Sequence, residues 1–322
     1  MFDVIGFGAM NLDMIYQVDS LSQISGKEIE LLPGQEISTS SQLFSKILQR
    51  VEQRGTLKSR AGGGSAANTV VALSRMGFRT GFVGKVGSDA EGDWLVDQMD
   101  AVDTRGIVFG GMSGRCLCIL DSNLDRSILL DPGANDSLSS DDIDWPYATD
   151  AQFVHFTSFA GEKPFRAQLA LAKEIHPPVQ ISFDPGEVYA CRGLKHLELL
   201  VKKSFVIFAT ESEIEMLTGL AFLEGSATLL DRGPSIVVCK RGQKGIHVAS
   251  HDQRFGLRAD PTKVTDNTGA GDVFNAGFLA GLLTNRPLQD CASLGTRLAA
   301  RSVTGYGRSR YPERKDLEFF SE

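Results

Sequence analysis

A glycine-rich run with one carboxylate lies near the end of this 322-residue chain: residues 266–272 read DNTGAGD, and an apolar, helix-compatible segment follows at once. Two glycines just before a helix let backbone N–H groups converge on one point, which the positive end of the helix dipole also faces. This arrangement binds an anion. The Asp272 carboxylate would repel a phosphate, but it can take a proton from a hydroxyl that attacks phosphorus. The run therefore predicts phosphoryl transfer to an alcohol.

A second glycine cluster also precedes a predicted helix, since residues 62–68 read GGGSAAN. Glycines such as Gly62 and Gly63 allow the backbone to approach a ligand without an intervening Cβ. Asn68 offers a donor and an acceptor, which suits a sugar hydroxyl. No Gly-Lys-Ser/Thr follows, so the run is not a Walker A motif. Alone it is more typical of a tight strand–helix turn, and only its pairing with Asp272 favours a site.

Two polar residues, Asn11 and Asp13, follow the first predicted strand. Ligands of open parallel sheets collect beyond the carboxyl ends of the strands, where these residues are expected. Asp13 can accept hydrogen bonds from two vicinal hydroxyls of an acceptor. The alternative is a turn residue that satisfies its own backbone.

Two further glycine-containing turns follow predicted strands. Residues 84–92 read GKVGSDAEG, which predicts a structural turn with Asp89 as the helix N-cap. Residues 240–245 read KRGQKG and could bring backbone groups and the Lys240 cation near nucleotide phosphates. A plain hairpin turn explains this second run equally well.

The elements that must position these residues alternate between strand and helix. The predicted strands are 4–10, 80–86, 153–157, 179–184, 205–210 and 235–240, and the predicted helices are 65–76, 93–99, 164–175, 212–218, the run after Gly271, and 287–303. Such alternation with buried β-branched strands predicts an α/β fold, with a mostly parallel sheet covered on both faces.

Two segments break this alternation, with strand-like pieces in residues 16–37 and in 114–130, the latter around a hairpin turn at Asp121-Ser122-Asn123. They predict either a small antiparallel sheet that acts as a water-excluding lid, or an edge extension of the main sheet. We take the lid segments as about 14–38 and 106–131 within one domain spanning 1–322. An amphipathic helix is predicted at 40–54.

Composition excludes several classes of function. The net charge is −7 with no long run of Lys or Arg, which argues against nucleic acid or an anionic membrane as a partner. No apolar stretch approaches the ~18 residues of a membrane span, and no targeting segment is evident, so a cytoplasmic protein is expected. Five scattered cysteines indicate reduced thiols, and the five histidines share no ligand-like spacing with them, which argues against zinc.

The three glycine motifs together resemble the ribokinase-like (PfkB) carbohydrate kinases. They are the runs at 62–68, 84–92 and 266–272, and they occur in the right order over nearly the whole chain. The resemblance implies a three-layer α/β/α fold with a small β-sheet lid. It also implies transfer of the γ-phosphoryl group of ATP, with Mg²⁺, to a hydroxymethyl group of a sugar or nucleoside.

The resemblance also implies roles for single residues. Asp272 matches the base that deprotonates the acceptor hydroxyl, and the N–H groups of Gly269, Ala270 and Gly271 match the anion hole for the transferring phosphoryl group. The acceptor-binding set is Asn11, Asp13, Gly62, Gly63 and Asn68, and the ATP-binding set is Thr210, Lys240, Gly242, Gly245 and Thr268. Glu213 matches the glutamate that organises Mg²⁺ through water.

Some positions depart from the family pattern. Thr210 stands where the family has the Asn of an Asn-x-x-Glu motif. Its hydroxyl can bind water with a shorter reach, so magnesium use or turnover would be altered. Asn267 replaces a usually small residue, which the loop should tolerate because its backbone sets its shape. Carbonyls around Asp266 and Thr268, with the later loop 304–309, imply possible K⁺ dependence.

The acceptor stays open at this point. Sugar-phosphate kinases need a cation for the second phosphate, but Arg60, Arg115 and Arg126 have no spacing that commits them and are interpreted as solvated surface residues. An unphosphorylated sugar is therefore favoured, although the long path from Asn11 to Gly62 is similar to adenosine kinases and favours a nucleoside.

Other function classes are also open. Thr210 supports a weakly active binding or regulatory protein, and the predicted lid could be a homodimer interface. A dinucleotide-dependent oxidoreductase is excluded, because Asn11 occupies the third glycine position of a G-x-G-x-x-G run that begins at Gly6.

Overall fold

Strands and helices alternate along the chain in the computed structural model, which describes residues 1–122 and 126–320. The strands are β1 (Phe2–Phe7), β2 (Asn11–Gln17), β3 (Glu36–Ser38), β4 (Thr56–Gly63), β5 (Thr80–Val86), β6 (Asp103–Phe109), β7 (Gly114–Leu120), β8 (Arg126–Asp131), β9 (Ala151–Thr157), β10 (Gln180–Asp184), β11 (Ser204–Thr210), β12 (Ile236–Lys240), β13 (Ile246–Ser250) and β14 (Arg254–Leu257). The helices are α1 (Ser41–Arg54), α2 (Ser65–Arg75), α3 (Ala90–Asp97), α4 (Trp145–Ala148), α5 (Glu162–Glu174), α6 (Gly186–Ala190), α7 (Leu194–Lys203), α8 (Glu211–Thr218), α9 (Phe222–Leu230), α10 (Ala270–Leu283) and α11 (Leu288–Ser302). Asn123 of the predicted hairpin turn lies outside the described residues, as do the Arg126 side chain and residues 321–322.

The large sheet has the strand order β14-β13-β12-β11-β10-β9-β1-β5-β6. Neighbouring strands are parallel from β12 to β6, and only the edge pairs β12–β13 and β13–β14 are antiparallel. Successive residues of β1 belong to different cores, since Val4 packs in one cluster and Ile5 in the other. Because strand side chains alternate between faces, both faces of the sheet are buried.

Helices cover both faces and complete the predicted three-layer α/β/α fold. Residues of α2, α10 and α11 form the core on one face. Residues of α5, α6, α7, α8 and α9 form the core on the other. Helices α4, α6, α7 and α9 were not predicted. Helix α3 begins three residues before its predicted start, and Asp89, the predicted N-cap, accepts a bond from Gly92 N at 2.8 Å. In the described part of the chain, no helix is long and apolar enough to cross a lipid bilayer.

The lid strands form a separate sheet with the order β3-β8-β7-β2-β4, so the edge-extension alternative is wrong. This sheet is mixed rather than antiparallel, because β2–β7 and β3–β8 pair in parallel. Residues 103–109 form β6 of the large sheet, and the second lid segment therefore begins at β7. The polar strand β4, which lacks an apolar alternation, was not predicted. Helix α1, close to its predicted bounds, buries Phe44, Ile47 and Val51 against one face of this sheet.

Candidate active site

The N-terminus of α10 forms the glycine-rich turn, residues 269–271, that was predicted to bind an anion (the cradle). Gly269 is the N-cap residue and adopts the left-handed conformation with a φ of 76°, which residues with a side chain rarely adopt. A Cβ here would lie 2.8 Å from the hydroxyl oxygen of Tyr311. The N–H of Ala270 donates to the carbonyl of Asn267 at 3.3 Å. Of the three N–H groups predicted to bind the phosphoryl group, that of Ala270 therefore already donates a hydrogen bond within the turn.

Asp272 lies in the first turn of α10 with its side chain buried. Asn68 Nδ2 donates to Asp272 Oδ2 at 2.9 Å, which joins the two glycine motifs directly. Burial raises the pKa of Asp272 to about 7, while the hydrogen bond from Asn68 opposes the rise and the carboxylate of Asp184 adds to it. A carboxyl with a pKa near neutrality is suited to general base catalysis.

Asp13 and Asn11 lie on β2, the lid strand that follows β1, and not in a turn. Burial raises the pKa of Asp13 to about 7, the guanidinium of Arg308 opposes the rise, and the Asp272 carboxylate adds to it. Asn11 Oδ1 accepts a hydrogen bond from Asn135 Nδ2 at 3.0 Å. Asn135 is buried and also exchanges two bonds of 2.9 Å with the backbone of Met10, so it fixes the start of β2.

A cleft of about 380 Å³ separates the lid from the ends of the large-sheet strands. Its polar lining includes Asn11, Asp13, Glu36, Ser65, Asn68 and Asp272. Its apolar lining includes Ile15, Ile128 and Leu130 of the lid, with Phe159 and Val188 from the opposite side. Gly269 and Gly271 also line it. The predicted base, most of the predicted acceptor set and the cradle therefore share one cavity.

A buried ion pair flanks the cradle. Lys240 Nζ lies 2.5 Å from Asp184 Oδ2, which also accepts a bond from Asn275 Nδ2 at 2.7 Å. Although burial works to raise the pKa of Asp184, Lys240 holds it below its usual range. A Cβ on Gly271 would lie 3.4 Å from Lys240 Nζ. Lys240 thus places a cation beside the cradle, in addition to ending the strand that leads to the predicted nucleotide loop.

Thr210, the strand neighbour of Lys240, and Glu213 lie beside this ion pair, whereas Thr268 of the predicted ATP-binding set lines the cleft. Thr210 caps α8, with its Oγ1 accepting from Glu213 N at 3.2 Å, and Glu213 Oε2 accepts in return from Thr210 N at 2.8 Å. Burial raises the pKa of Glu213, and the Asp184 carboxylate adds to the rise. Gly242 and Gly245 have positive φ in the turn between β12 and β13, which is the hairpin that the sequence also allowed.

Asp266 ties the late motif to the C-terminal loop. Its Oδ1 accepts from Thr268 N at 2.9 Å and its Oδ2 accepts from Gly307 N at 3.1 Å. Asp266 and Thr268 line a smaller cavity with Asp13, Asn68 and Arg308. The two loops that were expected to share a monovalent cation therefore contact each other.

Sequence reasoning missed several polar residues of the site. Asp184 lies at the carboxyl end of a buried strand. Asp13 was chosen because it follows a strand, and the same criterion could have identified Asp184. Arg308 lies within the loop 304–309, but only three other arginines were considered as cations near the acceptor. Of these, Arg60 is exposed and packs on Trp94. The expectation for Arg115 was wrong, since it is largely buried in an ion pair of 2.7 Å with Asp131.

Gly63 provides a test of how Asp13 is positioned. A Cβ on Gly63 would overlap the Asp13 carboxylate, whereas a Cβ on the adjacent Gly62 would lie 3.5 Å from its nearest neighbours, in ordinary contact. We expect Gly63→Ala to lower kcat/KM for the acceptor by about 10–100-fold, because small displacements of binding groups have effects of this size. In Gly62→Ala the added Cβ would meet Leu95, Gln98 and Arg308 rather than Asp13, so a smaller decrease is expected. Equal kinetics for the two variants would contradict this role of Gly63.

The two raised carboxyl pKa values predict how stability depends on pH. Both groups bind a proton more tightly in the folded state, near pH 7, than at their ordinary value of 3.8. Their stabilising contribution is thus complete below about pH 4 and is lost as pH rises through about 7. We expect Asp272→Asn to raise Tm by about 3–6 °C at pH 8.5 and by less at pH 5.5. Thermal unfolding at both pH values tests this, and a lower Tm of the variant at pH 8.5 would contradict it.

Comparison with known proteins finds relatives along most of the chain. Residues 42–314 match the sequence profile described as pfkB family carbohydrate kinase. An uncharacterized sugar kinase of Archaeoglobus fulgidus is 36% identical over 241 residues, which cover 73% of this chain and 95% of that protein. A cytidine kinase of Thermococcus kodakarensis is 29% identical over 259 residues, which cover 76% of this chain and 88% of that protein.

The fold has counterparts among solved structures. The adenosine kinase from Sinorhizobium meliloti superposes with a TM-score of 0.88 and 21% sequence identity. The alignment covers 100% of this chain and 99% of that one. At this identity the likeness shows the fold that the two chains share.

Proposed function

We propose that Asp272 is the general base of phosphoryl transfer in this chain, which belongs to the pfkB family of carbohydrate kinases. The enzyme is an ATP-dependent phosphotransferase with an alcohol group of a sugar as acceptor. The observation that carries the assignment of the base is the placement of a buried carboxyl with a pKa near 7 at the cradle. That carboxyl also faces the cleft that Asn11, Asp13 and Asn68 line.

The proposed chemistry is an in-line displacement. Asp272 accepts the proton of the acceptor hydroxymethyl group while the acceptor oxygen bonds to the γ-phosphorus of ATP and the bond to the leaving ADP breaks. Asp13 and Asn68 orient the acceptor, since a carboxylate and an amide suit vicinal hydroxyls. The N–H groups at the start of α10 and the Lys240 ammonium offset the negative charge of the transferring group. The apolar lid face excludes water from the cleft.

Mg²⁺ fits the acidic residues beside Lys240. The carboxylates of Asp184 and Glu213 face the single ammonium of Lys240, which leaves this cluster with an excess of negative charge. In the described part of the chain, no three acidic, His or Cys side chains converge as a complete metal site. This agrees with Mg²⁺ arriving with the nucleotide and keeping water ligands, and we propose that Glu213 holds it through water. When bound, Mg²⁺ neutralises phosphate charge.

Two expectations from the sequence remain predictions: a monovalent-cation site and a homodimer interface through the lid. The contact between Gly307 and Asp266 supports a shared monovalent-cation site in the two loops, and turnover in K⁺ compared with tetramethylammonium would test it. An interface through the lid would use the outer edge of β4, where Leu57 is exposed. Sedimentation analysis would show whether two chains associate.

The lining of the cleft supports an uncharged acceptor. The acidic residues Asp13, Glu36 and Asp272 would repel a second phosphate, and Arg308 offsets only part of that charge. A free sugar is therefore the first candidate, consistent with the sugar kinase of Archaeoglobus fulgidus. A nucleoside is the second, because the apolar residues Ile15, Ile128 and Phe159 could contact a base while its ribose meets Asp13.

The test is an ATP-consumption assay with Mg²⁺ against free sugars, sugar phosphates and nucleosides, with product masses determined. We expect turnover with a free sugar or a nucleoside and much lower kcat/KM for their phosphorylated forms. Thermal shifts on binding with no turnover of any compound would instead support a regulatory binding protein. Preferred turnover of a sugar phosphate would contradict the proposed uncharged acceptor.

A further inference from the structure

We propose that Arg308 is a positioning residue for Asp272 and acts on it through the side-chain amide of Asn68. This inference rests on the proposed function only in calling Asp272 the base. Arg308 lies in the C-terminal segment after α11, and Asn68 lies in the first turns of α2, 240 positions earlier. Neither glycine motif contains Arg308.

The contacts fix the orientation of the Asn68 amide from both ends. Arg308 Nε donates to Asn68 Oδ1 at 3.1 Å, and Asn68 Nδ2 donates to Asp272 Oδ2 at 2.9 Å. A guanidinium has donors only, so the atom that faces it must be the amide oxygen. The NH₂ end then has to face the carboxylate. Arg308 is itself held by the bond from its Nη1 to the carbonyl of Gln98 at 2.9 Å.

The groups around Asp272 show why this amide matters. Asp13 of β2 and Asp184 of β10 disfavour the ionised carboxylate of Asp272, and the Lys240 ammonium of β12 favours it. Ser65 and Asn68 of α2 favour it through hydrogen bonds, and Tyr311 of the C-terminal segment lies close by. Among the groups that oppose the rise in the pKa of Asp272 caused by burial, Asn68 has the largest effect. An amide free to rotate would lose this contribution and leave Asp272 protonated at neutral pH.

The Arg308 side chain can be shortened without releasing its segment. The carbonyl of Arg308 accepts a bond of 2.7 Å from Arg75 Nη1, and Gly307 N donates to Asp266 Oδ2. The Arg75 guanidinium also lies 5.8 Å from the centroid of the Tyr311 ring. These backbone and ring contacts remain when the guanidinium of Arg308 is removed. Arg310, which is exposed two positions later in the same C-terminal segment, provides a matched control.

The experiment is a ¹³C NMR titration of the aspartate carboxyl groups in the full chain, which needs no acceptor and no turnover. Asp272→Asn and Asp13→Asn assign the two resonances that titrate near neutrality. In Arg308→Met we expect the pKa of Asp272 to rise by about one pH unit. Arg308→Lys keeps the charge but lacks the planar pair of donors, so about half of that rise is expected. Arg310→Met should leave the titration unchanged.

An unchanged Asp272 titration in Arg308→Met would overturn the proposal, and so would an equal shift in Arg310→Met. If Arg308→Met does not fold, Arg308→Lys decides by the same criterion. With an acceptor in hand, the acid limb of the kcat–pH profile should move upward with the NMR value and activity should recover at high pH. A loss that is equal at every pH would indicate a merely structural role. A wild-type enzyme that phosphorylates nothing would refute the proposed function, while the NMR titration would still decide the role of Arg308.

Discussion

Asp272→Asn is expected to lower kcat roughly 10²–10⁴-fold, the range typical of losing a general base. The amide has nearly the same shape as the carboxyl, but it cannot accept the proton of the acceptor hydroxyl. The substitution also removes one of the negative charges that face the cleft, so KM for ATP should not rise. Initial rates at saturating ATP and acceptor, above and below pH 7, measure the effect.

Thermal unfolding of the Asp272→Asn variant provides the control for its kinetics. Because the wild-type carboxyl is buried at a pKa near 7, its replacement should stabilise the fold at alkaline pH, as predicted above. An inactive variant with a raised Tm would exclude unfolding as the cause of the lost activity. A variant that turns over at the wild-type rate would show that another group takes the proton.

Lys240→Met is expected to lower kcat about 10²–10³-fold, which is the usual effect of removing one preorganised group that offsets transition-state charge. The ammonium lies beside Gly271 and is held by Asp184. Removing it also leaves the buried Asp184 carboxylate without its cation, which should destabilise the fold by about 3–5 kcal/mol. Kinetics and thermal unfolding of the variant measure the two effects separately.

The double variant Lys240→Met with Asp184→Asn tests whether the loss of kcat in Lys240→Met follows from its loss of stability. It removes both charges, so Tm should recover most of the loss while kcat stays low. Recovery of kcat together with Tm would mean that Lys240 acts only through stability. If the single variant Lys240→Met kept the wild-type kcat, Lys240 would not be one of the groups that offset the charge of the transferring phosphoryl group.

The three layers of the fold and the centre of the site, around Asn68 and Asp272, could be predicted from the sequence. Strands such as β5 and helices such as α2 carry their own hydrophobic pattern, so local sequence determines them. The runs around Asn68 and Asp272 could be paired because glycines before a helix have few uses other than a turn or a ligand. The structure joins these two residues by a hydrogen bond.

The residues that were missed depend on contacts between distant segments. Nothing local to Arg308 shows that it will reach Asn68, and nothing local to Asp184 shows that Lys240 and Asn275 will meet it. Strand β4 is polar because it lies at an edge of the lid, so a search for apolar alternation passes over it. The parallel pairing of β2 with β7 is equally a property of the assembled lid.

The most direct test of the account is the single-turnover rate of phosphoryl transfer from ATP to the preferred acceptor between pH 5 and 9, for the wild type and for Asp272→Asn. Because the base must be ionised, the wild-type rate should fall tenfold per pH unit below an apparent pKa of about 7. The variant should be slow at every pH and lack this limb. A variant that keeps both the limb and the rate of the wild type would contradict the assignment of Asp272 as the base.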